Sequence, residues 1–170
     1  MGRATVRPRW LSDEEQQVWR GFLAVHQLLF DVLDRQMQAD ANISHGYYVL
    51  LAVLSEAPNR SMRMSELAEI TSSSQSRVSH AVARLEEAGW VRRRKVEGDK
   101  RGNLAVLTER GWEVVVQAAP GHVAAVRENF FDLLTPEQVG QLSEIFAAML
   151  DKLDAEGRSR LTRASRGSRD

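Results

Sequence analysis

Residues 85–111 read LEEAGWVRRRKVEGDKRGNLAVLTERG. Leu85 and Ala88 complete an apolar helical stripe that runs back through Val82, Ala81 and Val78. Gly89 is placed to end that helix, because glycine takes the left-handed C′ conformation without steric cost. Trp90-Val91 then opens an extended run through Val96, Gly98 and Gly102 flank a turn, and Leu104-Ala-Val-Leu107 returns. A β-hairpin with a loop of about six residues is expected, longer than the two-residue type. Thr108 is placed to cap the helix that follows.

Working backwards, QSRVSHAVARLEEAG (75–89) is a clear amphipathic helix, and SELAEI (65–70) is a short one with Ser65 as its expected cap. Between them the polar run Thr71-Ser-Ser-Ser74 reads as a tight turn in which Ser73 or Ser74 caps the second helix. A short helix, a tight turn and an amphipathic helix form a helix-turn-helix. The hairpin that follows makes it a winged helix.

Further out the chain is helical. Ser12-Asp-Glu-Glu15 is a capping box, followed by Val18, Phe22, Val25, Leu28 or Leu29, Val32 and Met37 at helical spacing. That stripe is wide enough to face more than one partner. Ser44 starts a helix, HGYYVLLAVLSEA, that is apolar nearly all round and stops at Ala57-Pro58-Asn59. After Thr108 a helix is expected to be interrupted, with a kink, near Pro120. Thr135-Pro136-Glu137-Gln138 signals the start of a final helix ending near Gly157. The fold class is therefore mainly α with a small β-hairpin: a winged helix-turn-helix at 44–111, an N-terminal helix at 13–40 and C-terminal helices at 112–157. The outer helices carry more apolar surface than one small lobe needs. The basic stretch 158–170 lacks periodicity and is expected to be disordered.

The 170 residues include no cysteine, which excludes disulfides, thiolate zinc sites and thiol-based sensing. The N-terminus has no apolar signal-peptide core and no run reaches membrane-span length, so a cytoplasmic protein without membrane contact is expected. Net charge is zero, but its distribution is uneven. Residues 60–101 hold 10 basic and 6 acidic side chains, net +4, whereas 102–157 hold 3 and 9, net −6. A basic middle between acidic flanks is the electrostatic footprint of a nucleic-acid binder.

The face of helix 75–89 opposite its core stripe offers Gln75, Ser76, Arg77, Ser79, His80 and Arg84, and its acids Glu86 and Glu87 lie at the C-terminal end. Short polar and basic groups of this kind match the donors and acceptors on major-groove base edges. In the hairpin, Arg92, Arg93, Arg94 and Lys95 alternate between faces, so about half point one way. Arg94 and Lys100 are expected phosphate contacts. Arg101, in the tip Gly98-Asp99-Lys100-Arg101-Gly102, is placed to enter a minor groove, with Asp99 as its brace. The plainer alternatives are a solvated helix face and a turn-forming aspartate.

These residues resemble the core signature of the multiple-antibiotic-resistance-regulator (MarR) family: LEEAGWV, then Asp99-x-Arg101-Gly102, then Leu107-Thr108-x-x-Gly111. SELAEI and SRVSHAVARLE match as well, and the helix order fits from about residue 13 to 157. The resemblance implies a homodimer whose first and last helices intertwine, with two winged helices reading a palindromic site in double-stranded DNA. It puts His80 where family members often place a base-reading side chain and Arg101 at the wing-tip arginine. It further implies a repressor released by a small aromatic or anionic effector between the dimer helices and the winged lobe. Candidates there are Trp19, His26, His45, Tyr47, Tyr48 and Trp112, against the ordinary reading of buried aromatics as core. The peroxide-sensing branch of the family uses a cysteine, which this chain lacks.

Two other classes remain to be weighed. The four histidines have no metal-ligand spacing, and there is no glycine-rich phosphate loop or G-x-S-x-G elbow, so no catalytic residue, metal or cofactor is expected. A winged helix used for protein–protein contact would show apolar or mixed-sign residues on the exposed face of 75–89. That face is polar and basic through Arg84, which favours DNA.

Overall fold

A computed structural model describes residues 8–96 and 99–153, the side chains of 96 and 99–102 excepted. Six helices surround a small antiparallel sheet. They are α1 (Asp13–Ala41), α2 (His45–Glu56), α3 (Met64–Ile70), α4 (Gln75–Glu87), α5 (Glu109–Asn129) and α6 (Pro136–Leu153), and the strands are β1 (Ser61–Arg63), β2 (Val91–Val96) and β3 (Asp99–Leu107). The sheet order is β1-β3-β2.

Local chemistry sets most boundaries as the sequence implies. Ser12 and Glu15 exchange the two bonds of a capping box at α1. Ser44 caps α2 and Ser74 caps α4 by accepting from Tyr47 and Arg77 N–H groups. Thr135 and Gln138 form the corresponding box at α6. Gly89, at φ +76°, is the left-handed stop after α4.

Three expectations need correction, and one strand, β1, goes beyond them. Ser65 does not cap α3: that helix begins at Met64, and Arg63 before it makes no side-chain cap bond. The chain enters α3 directly from β1, where Arg63 pairs with Leu104. β1 itself was not anticipated, since three residues are too few to show a period. The hairpin is also longer than expected. β3 starts at Asp99, and pairing runs regularly from Val91↔Leu107 to Lys95↔Asn103 before the register slips. Backbone pairing needs no apolar alternation, so hydrophobic pattern could not reveal strand within Asp-Lys-Arg-Gly. Finally, α5 continues through Pro120 as one helix instead of being interrupted. Proline removes one N–H. The adjoining Gly121 permits a close approach to α1, since a Cβ there would lie 3.0 Å from Gln36 Nε2 and against Asp40. The basic stretch 158–170 lies outside the described residues.

The core gathers Met37 from α1, Leu51 and Leu54 from α2, Leu67 from α3, Val78, Val82 and Leu85 from α4, and Ala105 and Leu107 from β3. One polar lock joins the wing to this core. Thr108 Oγ1 donates toward the carbonyls of Gly89 (2.8 Å) and Trp90 (3.0 Å), and the Thr108 amide bonds Trp90 O at 2.9 Å. The same hydroxyl accepts from the Gly111 N–H at 3.0 Å, so it caps α5 as well. A Cβ on Gly111 would overlap the Trp90 carbonyl and crowd Leu107.

Gly111→Ala is therefore expected to destabilise the chain by about 2 kcal/mol or more, as overpacking against fixed backbone does. Thr108→Ala should cost about 1–2 kcal/mol through the lost cap and crosslinks. Urea unfolding at fixed protein concentration measures both; a neutral Gly111→Ala result would refute the packing account.

Candidate nucleic-acid interface

The helix-turn-helix is closed by its own polar turn. Thr71 Oγ1 donates to Leu67 O at 2.8 Å, and the Ser73 N–H bonds Ala68 O at 2.9 Å. Ser72 takes a left-handed φ of 49°. This turn sets α4 with Val78, Val82 and Leu85 inward. Gln75, Ser76, Arg77, His80 and Arg84 are exposed, and Ser79 is half-buried. So five of the six expected reading residues are exposed on α4.

Arg84 is not a free cation: its guanidinium pairs with Glu87 at 2.9 Å, on the surface. Arg93 behaves quite differently from its neighbours. On β2 the pleat puts Arg93 on the face of buried Val91 and sends Arg92 and Arg94 to the other. There Arg93 Nε meets Glu86 at 3.1 Å, while its backbone N–H bonds the other Glu86 oxygen at 2.8 Å. Its terminal nitrogen donates to Ser79 O at 2.7 Å. One side chain thus ties β2 to two turns of α4. A cleft of about 240 Å³ between α4 and the wing is lined by Gln75, Ser79, Arg93 and Asn103, with Arg63, Met64 and Ser65 at its other wall. The bracing of Arg101 by Asp99, and the side chains of Lys100 and Arg101, lie outside the described residues.

A second cavity, about 530 Å³, opens between α1, α2 and the start of α4. Of the six expected effector residues it takes His45 and Tyr47. The others are elsewhere. Tyr48 packs its ring 4.7 Å from that of His122. Trp112 lies under Arg60, whose guanidinium stands 4.2 Å from the indole centre. Trp19, 52% exposed, and His26 lie on the outer face of α1. Sequence reasoning did not place Phe30, Asp31, Asp34 or, above all, Arg77 at this cavity; Arg77 lines it while being exposed on α4. Helical periodicity could not have found them, because the cavity is made where three helices meet.

Burial holds the pKa of both His45 and His122 below the ordinary histidine value. For His45 the neighbouring His122 adds to this and Asp34 opposes it. Among the described residues no cluster of three or more His, Asp or Glu could hold a metal, and no helix is long and apolar enough to cross a membrane.

The same overall fold is found in solved relatives. Sco3205 from Streptomyces coelicolor, a MarR family transcriptional regulator solved in complex with DNA, is 53% identical, with a TM-score of 0.83 over 86% of this chain and 92% of that one. The chain belongs to the MarR family. The MarR family model itself matches residues 42–102, which are α2, the helix-turn-helix and most of the wing. AbsC, another MarR family regulator from the same organism, is 42% identical, covers 87% of this chain and 99% of its own, and gives a TM-score of 0.82. The transcriptional repressor MprA of Escherichia coli (strain K12) is 30% identical over 112 residues, 66% of this chain. The match spans 63% of MprA's length.

Within a MarR wing, an arginine that contacts phosphate and one that holds the wing in place are separable by salt. Arg94→Ala should weaken duplex binding and reduce the slope of log K against log[salt] by about 1, since a counterion-releasing contact is lost. Arg93→Ala should weaken binding with the slope unchanged. Filter or fluorescence titration across a salt series distinguishes them; equal slope changes would sink the assignment of Arg93.

Proposed function

We propose that this chain is a DNA-binding transcriptional regulator that reads a palindromic operator as a homodimer, with α4 in the major groove and the wing in the minor groove. The observation that carries this is the polar and basic open face of α4, held beside a cationic wing by the Arg93–Glu86 clamp. Sco3205, 53% identical, was solved in complex with DNA, which supports DNA binding by this chain. Gln75, Ser76, Arg77 and His80 are the base-reading and phosphate candidates on the helix, and Arg94, Lys100 and Arg101 those on the wing. Ser79 serves chiefly to hold Arg93, and Arg84 approaches DNA only by leaving Glu87. A protein-docking winged helix would show apolar or mixed-sign residues there, whereas α4 is polar and basic through Arg84 and its exposed acid, Glu87, lies at the C-terminal end.

Dimerisation is supported by apolar surface that a monomer would leave wet. Val18, Trp19, Phe22, Val25 and Leu28 along α1 are each at least half exposed, and Ile145, Phe146 and Met149 are exposed on α6. So extended an apolar face marks an association surface. The dimer would bring two α4 helices to half-sites about one helical turn apart.

Repression relieved by a small effector is the regulatory reading, and the 530 Å³ cavity has the size of a drug-like ligand site. Phe30 and Tyr47 offer ring contacts, and Arg77 offers a partner for a carboxylate. An occupant that engages Arg77 takes it from the reading face.

Selection from random duplex DNA should return an inverted repeat, and sedimentation at micromolar concentration should show a dimer. Arg101→Ala is expected to weaken the selected duplex about tenfold, whereas His80→Ala changes base preference within each half-site. A monomer, or a uniform loss for His80→Ala across sites, counts against the reading. In a melting-shift screen, aromatic carboxylic acids should raise Tm in the wild type and fail to do so in Arg77→Ala.

A further inference from the structure

The imidazoles of His45 and His122 face each other with ring centres 5.2 Å apart, where α1, α2 and α5 meet. They are hemmed by apolar and aromatic groups: Phe30 stands 5.4 Å from His45, and Tyr48 stands 4.7 Å from His122. His45 is buried, and His122 Nδ1 is buried without a hydrogen-bond partner. A neutral pair suits this pocket, because an unpartnered buried nitrogen costs less as an acceptor than as part of a cation.

We infer that this pair is a proton-sensitive joint: neutral, it seats the outer helices against the DNA-binding lobe, and protonated, it loosens that seat and lowers DNA affinity. The inference rests on the DNA-binding reading above.

The position of the pair gives it this leverage. His45 is the first residue of α2, after the Ser44 cap, so an imidazolium there meets the positive end of the helix dipole. No acidic residue stands in the first turn of α2 to offset it. A second charge on His122 repels the first across about 5 Å in a poorly solvated pocket, where like charges interact more strongly than in water. The groups facing the pair from each packed element do not remove this cost. From α1, Asp34 accepts the His45 backbone N–H at 2.8 Å and favours a charge there, while Asp40 borders Gly121 and is bonded by Gln36. Asp31 and, from α4, Arg77 face the cavity that His45 also lines. Tyr48 is kept neutral, its pKa raised by burial and then by Glu56. His26 reaches the pair only through Phe30. α2 in turn carries Leu50, Leu51 and Leu54 in the same core as Val78 and Val82 of α4, so a shift of α2 relative to α5 is felt beneath the reading helix.

Burial lowers both folded pKa values below the unfolded 6.5. The unfolded chain therefore takes up protons first on acidification. Stability from the neutral pair is complete above pH 6.5 and is lost as pH falls from 6.5 toward the folded values.

The test uses the full H80Q chain and a duplex selected by that variant at pH 7.5. His80 stands on the reading face, where an added proton would favour DNA, so H80Q is the reference background. Between pH 7.5 and 5.5 the affinity of H80Q should fall severalfold, bounded by about tenfold per proton for each pH unit below the folded pKa, and H80Q/H122Q should abolish most of that fall. An undiminished fall in the double variant, or no fall in H80Q, overturns the joint. Imidazole NMR of the wild type keeps the inference testable if H122Q does not fold. His45 and His122 should titrate below 6.5, and a midpoint at or above 6.5 for both overturns it. Absence of duplex binding at pH 7.5 would instead count against the DNA reading, with the NMR titration and the pH dependence of Tm still judging the pair.

Discussion

The seat of the wing depends on one hydroxyl. Thr108 Oγ1 touches the carbonyls of Gly89 and Trp90 on one side and the Gly111 N–H on the other. Those four residues are the exit of α4, the entry to β2, the exit of β3 and the first turn of α5. The Gly89 carbonyl and the Gly111 N–H are satisfied by this hydroxyl, while the Trp90 carbonyl also accepts from the Thr108 N–H; leaving such a group unpaired near the core costs about 1–3 kcal/mol. The lock therefore does more than cap a helix. It sets where the hairpin leaves the domain and where α5 departs toward α1. Gly89 has to take a positive φ and Gly111 has to lack a Cβ for the threonine to reach both sides.

Once the base of the hairpin is fixed, its direction is set by a second contact farther along. Arg93 reaches back to Glu86 and to the Ser79 carbonyl, which makes β2 and α4 one surface. The two acids at the end of α4 look misplaced in a sequence meant to face phosphate. Their partners explain them: Glu86 holds Arg93, and Glu87 meets Arg84. Of four successive cations, one is spent on geometry. The remaining field is carried by Arg92, Arg94 and Lys95, all exposed. The wing's net attraction for a polyanion is therefore smaller than the count of its arginines implies, and its orientation is better defined.

The parts of the fold legible in the sequence were those written in local code. Caps at Ser12, Ser44, Ser74, Thr108 and Thr135, the stop at Gly89 and the stripe of α4 all depend on residues within a few positions of one another. What escaped depends on distant partners or on backbone alone. β1 exists because Met62 and its neighbours pair with β3 some forty residues later. The first half of β3 pairs without an apolar pattern to announce it. α5 tolerates Pro120 within a helix that packs along α1, so local helix propensity is a poor guide there. The exposed polar surface of α4 was visible as a pattern of residues, but the inward turn of Arg93 was not, because sequence alone does not tell which face of a strand meets a neighbouring helix. The cavity was least legible of all, since its walls come from α1, α2, the turn and α4.

That cavity and the exposed surface of α4 proposed to read DNA share Arg77, and this sharing limits how the two can communicate. A side chain anchored at the third residue of α4 cannot be fully engaged by an anion in the cavity and by DNA at once. Competition of this kind is a coupling free energy, and it acts equally in both directions: an occupant that weakens DNA binding is itself bound less tightly by the DNA-bound form. It needs no large movement of α4, whose N-terminus is already fixed by Ser74 and the polar turn. A rearrangement of the outer helices, by contrast, would act through α2 and the shared core. On the two readings proposed above, the histidine pair acts on the same helix through packing and Arg77 through a single charge.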